Sequence, residues 1–316
     1  MRIQEYANDT RYILTPQQAF NELGHHFFRK GNFADAHRQF MRVRDFCSLS
    51  AHWIDRFMNL IKVAFHLQSL STVPQHVNQA EQQPELDPTT SAKLKMAMGL
   101  SLLDSRKYRA AARKLLEVDG NIGNKYDEVL GLNDMTIYVV LCALAEFERS
   151  DLRTKLVNNP NFRTMTENNP LMLEIVENFY YCKYGAALTA IEGLKNEFLL
   201  DIHLHDHVNT LLTKIRARAV ALYITPFFSV DMQAMATEFR TDVAAVEAEV
   251  AALIVDGAIP ARIDSQAKRI YAKNTDERTT TFDKALDMGK KFQKSAKFLI
   301  LRVNVIRNDF IVKGKK

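Results

Sequence analysis

The chain has 316 residues, 47% of them hydrophobic and 25% charged, with a formal net charge of +5, a composition that supplies ample core and excludes disorder as its main theme. The 11 glycines and 8 prolines are few for this length, so helices should dominate, and no nucleotide-type glycine loop occurs. Cys47, Cys142 and Cys182 have no paired spacing, which argues against a disulfide framework or zinc knuckle. The first residues lack an apolar signal core and no stretch reaches the ~20 apolar residues of a membrane span, so a soluble intracellular protein without a membrane partner is expected.

Residues 1–14 form a lead-in. Thr15-Pro16 then predicts a helix start, with a capping hydroxyl and proline in the first turn. Ala19, Leu23, Phe27 and Phe28 share one face, Gly31-Asn32 makes the turn, and Phe33, Ala36, Phe40 and Val43 line the returning helix. The small/large alternation of Gly24, Gly31, Phe33 and Ala36 follows that of a tetratricopeptide-type hairpin. Further hairpins are expected at about 50–69 with 72–83, 89–105 with 108–117, 137–148 with 151–157, and 171–182 with 184–199. Asn159-Pro160 and Asn169-Pro170 bracket an irregular link. Because one hairpin cannot bury its own apolar face, the set over 15–200 should stack as a helical-repeat solenoid. A joining helix through Leu211, Ile215, Ala219 and Leu222 should stop at Thr225-Pro226.

The next module, 201–275, reads as a winged helix. Ser229 is placed to cap a helix through Met232, Met235 and Phe239. Thr241 is placed to cap a second, apolar at Val243, Val246, Val250 and Leu253, and Asp256-Gly257 stops it. Ala258–Ile263 and Arg269–Ala272 should pair as a two-stranded wing around a turn at 264–268. Residues 276–312 then form one long helix, followed by a basic tail at 313–316. Phe282, Leu286, Phe292, Leu299, Val303, Ile306 and Phe310 recur on one stripe, while Phe298, Leu301 and Val305 open a second side. A helix apolar over so much of its circumference needs cover from other helices, which one small winged helix cannot provide. A strand over 298–307 is the alternative, since that run is rich in β-branched residues. Lys290, Lys291, Lys294, Lys297, Arg302 and Arg307 make this end basic, which fits either a solvated face or an acidic partner.

Catalytic signals are weak. His203 and His207 would meet at i, i+4 on a helix and could reach one ion, but no third ligand or general base accompanies them. They read as structural, as do His25-His26, Trp53 and Phe57. No nucleophile has a base at recognisable spacing, so no enzyme, metal or cofactor is expected. DNA is the usual ligand of a winged helix, yet the second helix carries Asp242, Glu247, Glu249 and Asp256 and no cation, so phosphates would repel it. Lys268 and Arg269 on the wing soften that without reversing it, and nucleic acid is not expected as a partner.

Helical repeats, a winged helix and a C-terminal helix together resemble the PCI-domain family. Ser229-Val-Asp-Met-Gln-Ala-Met-Ala, Ala261-Arg-Ile-Asp-Ser, Ile270-Tyr-Ala-Lys and, above all, Asp276-Glu-Arg-Thr-Thr-Thr-Phe-Asp-Lys-Ala-Leu-Asp-Met-Gly-Lys-Lys-Phe-Gln resemble the subunit-one family of the COP-nine signalosome. The paralogous proteasome lid subunit is the nearest competitor. The resemblance implies a mainly α fold and a non-catalytic subunit, in cytoplasm and nucleus, of a complex that removes Nedd8 from cullin-RING ligases through a metalloprotease centre in another subunit. It also implies other PCI subunits as partners, met through winged-helix edges and bundled C-terminal helices. Ile263, Ile270 and Tyr271 on the wing, with Phe282, Leu286, Phe292, Leu299, Val303, Ile306 and Phe310 on the last helix, are the expected assembly residues. A peptide-binding adaptor, a nucleic-acid-binding winged helix and a hydrolase are the readings outside this class.

Overall fold

A computed structural model describes residues 15–84, 86–119, 126, 129–273 and 277–308. The lead-in over 1–14, Phe310 and the basic tail lie outside the described residues. These divide into two compact units, one running up to Tyr223 and including Met235–Asp242, the other formed by Ile224–Ala234 and the residues from Val243 on.

The first unit is built of antiparallel helix pairs. Helix α1, Pro16–Arg29, opens on a capping box in which the Gln18 amide donates to Thr15 Oγ1 (3.4 Å) and the Thr15 amide to Gln18 Oε1 (3.1 Å). Gly31 takes φ +76°, open to it because it has no Cβ. Asn32 then caps α2, Phe33–Arg42. The two helices pack face to face because Gly24 leaves room for a ring: a Cβ there would lie 2.5 Å from Phe40 Cε1. The same device recurs between α5, Pro88–Asp104, and α6, Tyr108–Leu116, where Gly99 faces Leu115. Between these pairs lie α3, Ser50–His66, and α4, Val73–Glu81. Phe40, Phe57, Leu60, Ile61 and Leu94 join one core across α2 to α5. Phe57 is fully part of it, Trp53 packs against its margin, and the His25 ring meets Phe40 edge-on at 5.3 Å.

Helix α7, Leu132–Glu146, is apolar nearly all round and buried on most sides, as such a pattern requires. It packs on α6 and on the helices that follow. Arg149–Leu152 (α8) continues into a π-helical turn, Arg153–Val157. The segment expected to be an irregular link is instead a helix, α9, Pro160–Thr166: Asn159 Oδ1 accepts from the Asn161 amide (3.0 Å) and Pro160 sits in the first turn. Then come α10, Pro170–Tyr180, α11, Tyr184–Gly193, α12, Lys195–Leu200, and α13, Val208–Ile224.

Residues 201–207 form a turn, so His203 and His207 do not share a helix face. The turn is fastened from within. Tyr138 Oη donates to both Asp201 carboxylate oxygens (2.7 and 2.8 Å), and Oδ1 also accepts from the His203 and Leu204 amides. Buried His207 shares a hydrogen bond with Tyr108 Oη through Nδ1 (3.2 Å), and the His203 ring meets Phe65 edge-on. Lys214 lies over the Tyr108 ring and pairs with Glu146 (2.8 Å). Burial pushes both histidines below the ordinary imidazole pKa. Among the described residues no group of three His, Cys, Asp or Glu side chains is placed to hold a metal ion, and no helix is long and apolar enough to cross a membrane.

Candidate assembly surface

The winged module differs from its sequence reading at its start. Ser229 does not cap a helix; it opens a strand, β1, Ser229–Asp231, and Asp231 Oδ1 takes the capping role by accepting from the Gln233 amide (2.9 Å). Helix α14, Met232–Phe239, follows and is divided between the two units. Its second half belongs with α11 and α13: the Phe239 ring stacks on Tyr184 and meets Tyr223 edge-on. A Cβ on Gly185 would run into the Glu238 carbonyl. Thr241 does not cap the second helix either, since its Oγ1 is buried without a hydrogen-bond partner and α15 begins at Val243, running to Val255. Gly257, at φ +73°, ends it, with the Ala258 amide returning to the Leu253 carbonyl (2.9 Å).

Strands β2, Ala261–Asp264, and β3, Arg269–Ala272, form the expected wing around an Asp264-capped turn. With β1 they make a three-stranded antiparallel sheet of order β1-β3-β2, Val230 opposite Ile270 and Ile263 opposite Ile270 on the other side. This corrects the placing of two expected assembly residues. Ile270 and Tyr271 lie on the middle strand, whose main chain is paired on both sides, and Ile270, opposite Val230, is wholly buried, as are Val246 and Val250 of α15. Ile263, half-buried, lies on β2 at one edge of the sheet.

On the module, an acid of α15 pairs with residues of the wing turn. Glu247 of α15 accepts hydrogen bonds from Ser265 Oγ and Lys268 Nζ, and the lysine pair is 2.9 Å long. Those two bonds hold the Glu247 carboxyl below its usual pKa. The wing lysine is thereby engaged by an acid of the helix that would otherwise meet DNA.

Helix α16 runs over Glu277–Arg307 without interruption, so 298–307 is helical and not a strand. Its apolar side chains are bare: Phe282, Leu286, Phe292, Leu299, Val303 and Ile306 range from 47% exposed at Leu286 to 77% at Phe292. Met288, Phe298, Ile300 and Leu301 on other sides are exposed as well. Monomeric proteins rarely leave contiguous apolar patches on this scale.

Family models match the chain in succession: 26S proteasome subunit RPN7 over residues 2–155, the PCI domain over 177–274, and the C-terminal helix of COP9 signalosome complex subunit 1 over 278–303. COP9 signalosome complex subunit 1 of Arabidopsis thaliana is 42% identical over 295 residues, 93% of this chain and 67% of that protein. Subunit 1b of the same complex from Drosophila melanogaster is 34% identical over 305 residues, 94% of this chain and 58% of its own length. The 26S proteasome non-ATPase regulatory subunit 6 of Oryza sativa subsp. japonica is more distant, 22% identical over 238 residues, 75% of this chain and 61% of that protein. The chain thus spans roughly three fifths to two thirds of these relatives' lengths. With the PCI model over the winged module and the signalosome model over α16, the chain belongs to the COP9 signalosome subunit 1 family.

Proposed function

We propose that this chain is a non-catalytic scaffold subunit of the COP9 signalosome, supporting removal of Nedd8 from cullin-RING ubiquitin ligases in cytoplasm and nucleus while the isopeptidase centre lies in another subunit. The observation that carries this reading is α16, a 31-residue helix with bare apolar side chains around its circumference. Fully burying even four of them in a helical bundle is worth roughly 6–12 kcal/mol before ordering costs. The edge strand β2, with Ile263, is the second contact, where a neighbouring PCI subunit adds its own strand. The test is Leu299→Asp with Val303→Asp. Both positions are exposed, so the isolated chain should keep its melting temperature and helicity, fail to co-purify with the other subunits, and leave the complex short of deneddylase activity. Normal assembly of this double variant would refute the bundle role.

A further inference from the structure

Arg56 on α3 is 4% exposed, yet among the described residues no carboxylate hydrogen-bonds to it. Its Nε donates to the Phe40 carbonyl (3.1 Å) and Nη2 to the Met41 thioether (3.5 Å). The guanidinium carbon sits 5.5 Å and 5.3 Å from the ring centroids of Trp53 and Phe57. Nη1 is left over. Burial lowers the Arg56 pKa, with Arg44 adding to the effect and Asp45 opposing it, but a guanidinium stays charged in proteins. Nearby Cys47 does not supply the missing charge, because burial raises its thiol pKa and keeps it neutral near pH 7. His37 on α2 and His76 on α4 are both held below the ordinary imidazole value, by burial first and Arg56 second, so they bring polar groups without competing charge. His76 Nδ1 is buried with no hydrogen-bond partner. A buried charge lacking its counter-ion is costly, and an anion that reaches it is bound the more firmly for the absence of a resident partner.

The rim says what kind of anion. Met41, whose thioether accepts from Arg56, Phe46 just beyond α2, and Leu49, seven residues before Arg56 at the start of the same helix, are all exposed, apolar surface that a small inorganic ion would leave uncovered and a polypeptide would cover. We propose that Arg56 receives an acidic side chain of a partner polypeptide, whose flanking apolar residues rest on Met41, Phe46 and Leu49. This gives the N-terminal helix pairs a recognition site of their own, separate from α16.

The test uses the full chain and short fluorescent peptides with one glutamate between leucines, against the same peptides with glutamine, read by anisotropy. The glutamate peptide should bind about tenfold more tightly or better, the yield of one charge-assisted hydrogen bond. Arg56→Gln should abolish that difference. Leu49→Ser, at an exposed N-cap position, should weaken both peptides with unchanged helicity, which keeps the test decisive if Arg56→Gln does not fold. Equal binding of the two peptides overturns the proposal. So does complete displacement by inorganic phosphate with no effect of Leu49→Ser, which would make this a small-oxyanion site.

Discussion

Replacing Gly185 by alanine puts a methyl group where α11 passes closest to α14. The added Cβ would run into the Glu238 carbonyl oxygen and lie 3.2 Å from its carbon, whereas ordinary contacts of such an atom begin at 3.4 Å. The obstacle is main chain, so it cannot swing aside, and α11 must retreat by on the order of 1 Å. Overpacking of this kind costs about 1–3 kcal/mol, and the rigid neighbour places it near the upper figure. Alanine returns up to ~1 kcal/mol in helix propensity, which leaves a net loss of about 2 kcal/mol. For a unit of this size that is a fall in Tm of roughly 4–8 °C. Thermal unfolding followed by circular dichroism is the assay, with Gly193→Ala as control: it lies in the same helix with nothing within 4 Å of its added Cβ, and should be neutral or slightly stabilising. A Gly185→Ala melting curve that overlays wild type would show that the close approach carries no weight.

Stability should fall on mild acidification. His25, His37, His76, His203 and His207 all have pKa values lowered from the ordinary 6.5, with burial the first cause in each. The unfolded chain therefore takes up protons as pH drops through 6.5 while the folded chain does not, so stability is full above that value and is lost below it. A Tm that stays flat from pH about 7.5 to about 5.5 would contradict this. Tyr138→Phe removes the hydroxyl that bridges both Asp201 oxygens and should cost about 1.5–3 kcal/mol by urea unfolding. A loss under ~0.5 kcal/mol would mean that the turn holds itself.

Much of this architecture was legible because its signals are local. Helical spacing located the hairpins, and Thr15-Pro16 located the first start, where the hydroxyl and the ring act within one turn. Asn159-Pro160 carries the same kind of signal, but α9 is only 7 residues long and lies between two prolines, too short for a periodic stripe to show. Strand β1, at 3 residues, is shorter still, and its partner β3 lies far along the chain, so Ser229 read more naturally as a cap. That missing strand is also why Ile270 and Tyr271 were expected at an edge: with two strands β3 is an edge, with three it is the centre. The partners of His203 and His207, Phe65 and Tyr108, are remote in sequence, so spacing alone pointed to one helix face. Arg56 gave no sequence signal, because what sets it apart is that, among the described residues, its guanidinium bonds to a carbonyl and a thioether and to no carboxylate. The apolar excess of α16 was visible because it depends on one helix and its own residues.

The order of strands in the sheet has a consequence for biogenesis. The helix pairs rest largely on contacts between neighbours in sequence and can settle as each pair leaves the ribosome. Strand β1 cannot: its partner β3 is made roughly 40 residues later, about 2–8 s at ordinary translation speeds. Until then Val230 lacks the opposing Ile270, and β2 lacks the strand it pairs with. Helix α16 emerges after that closure, so the stickiest surface of the chain is presented by a nascent protein whose remaining core has already shut, and the choice of what meets it first passes from folding to encounter.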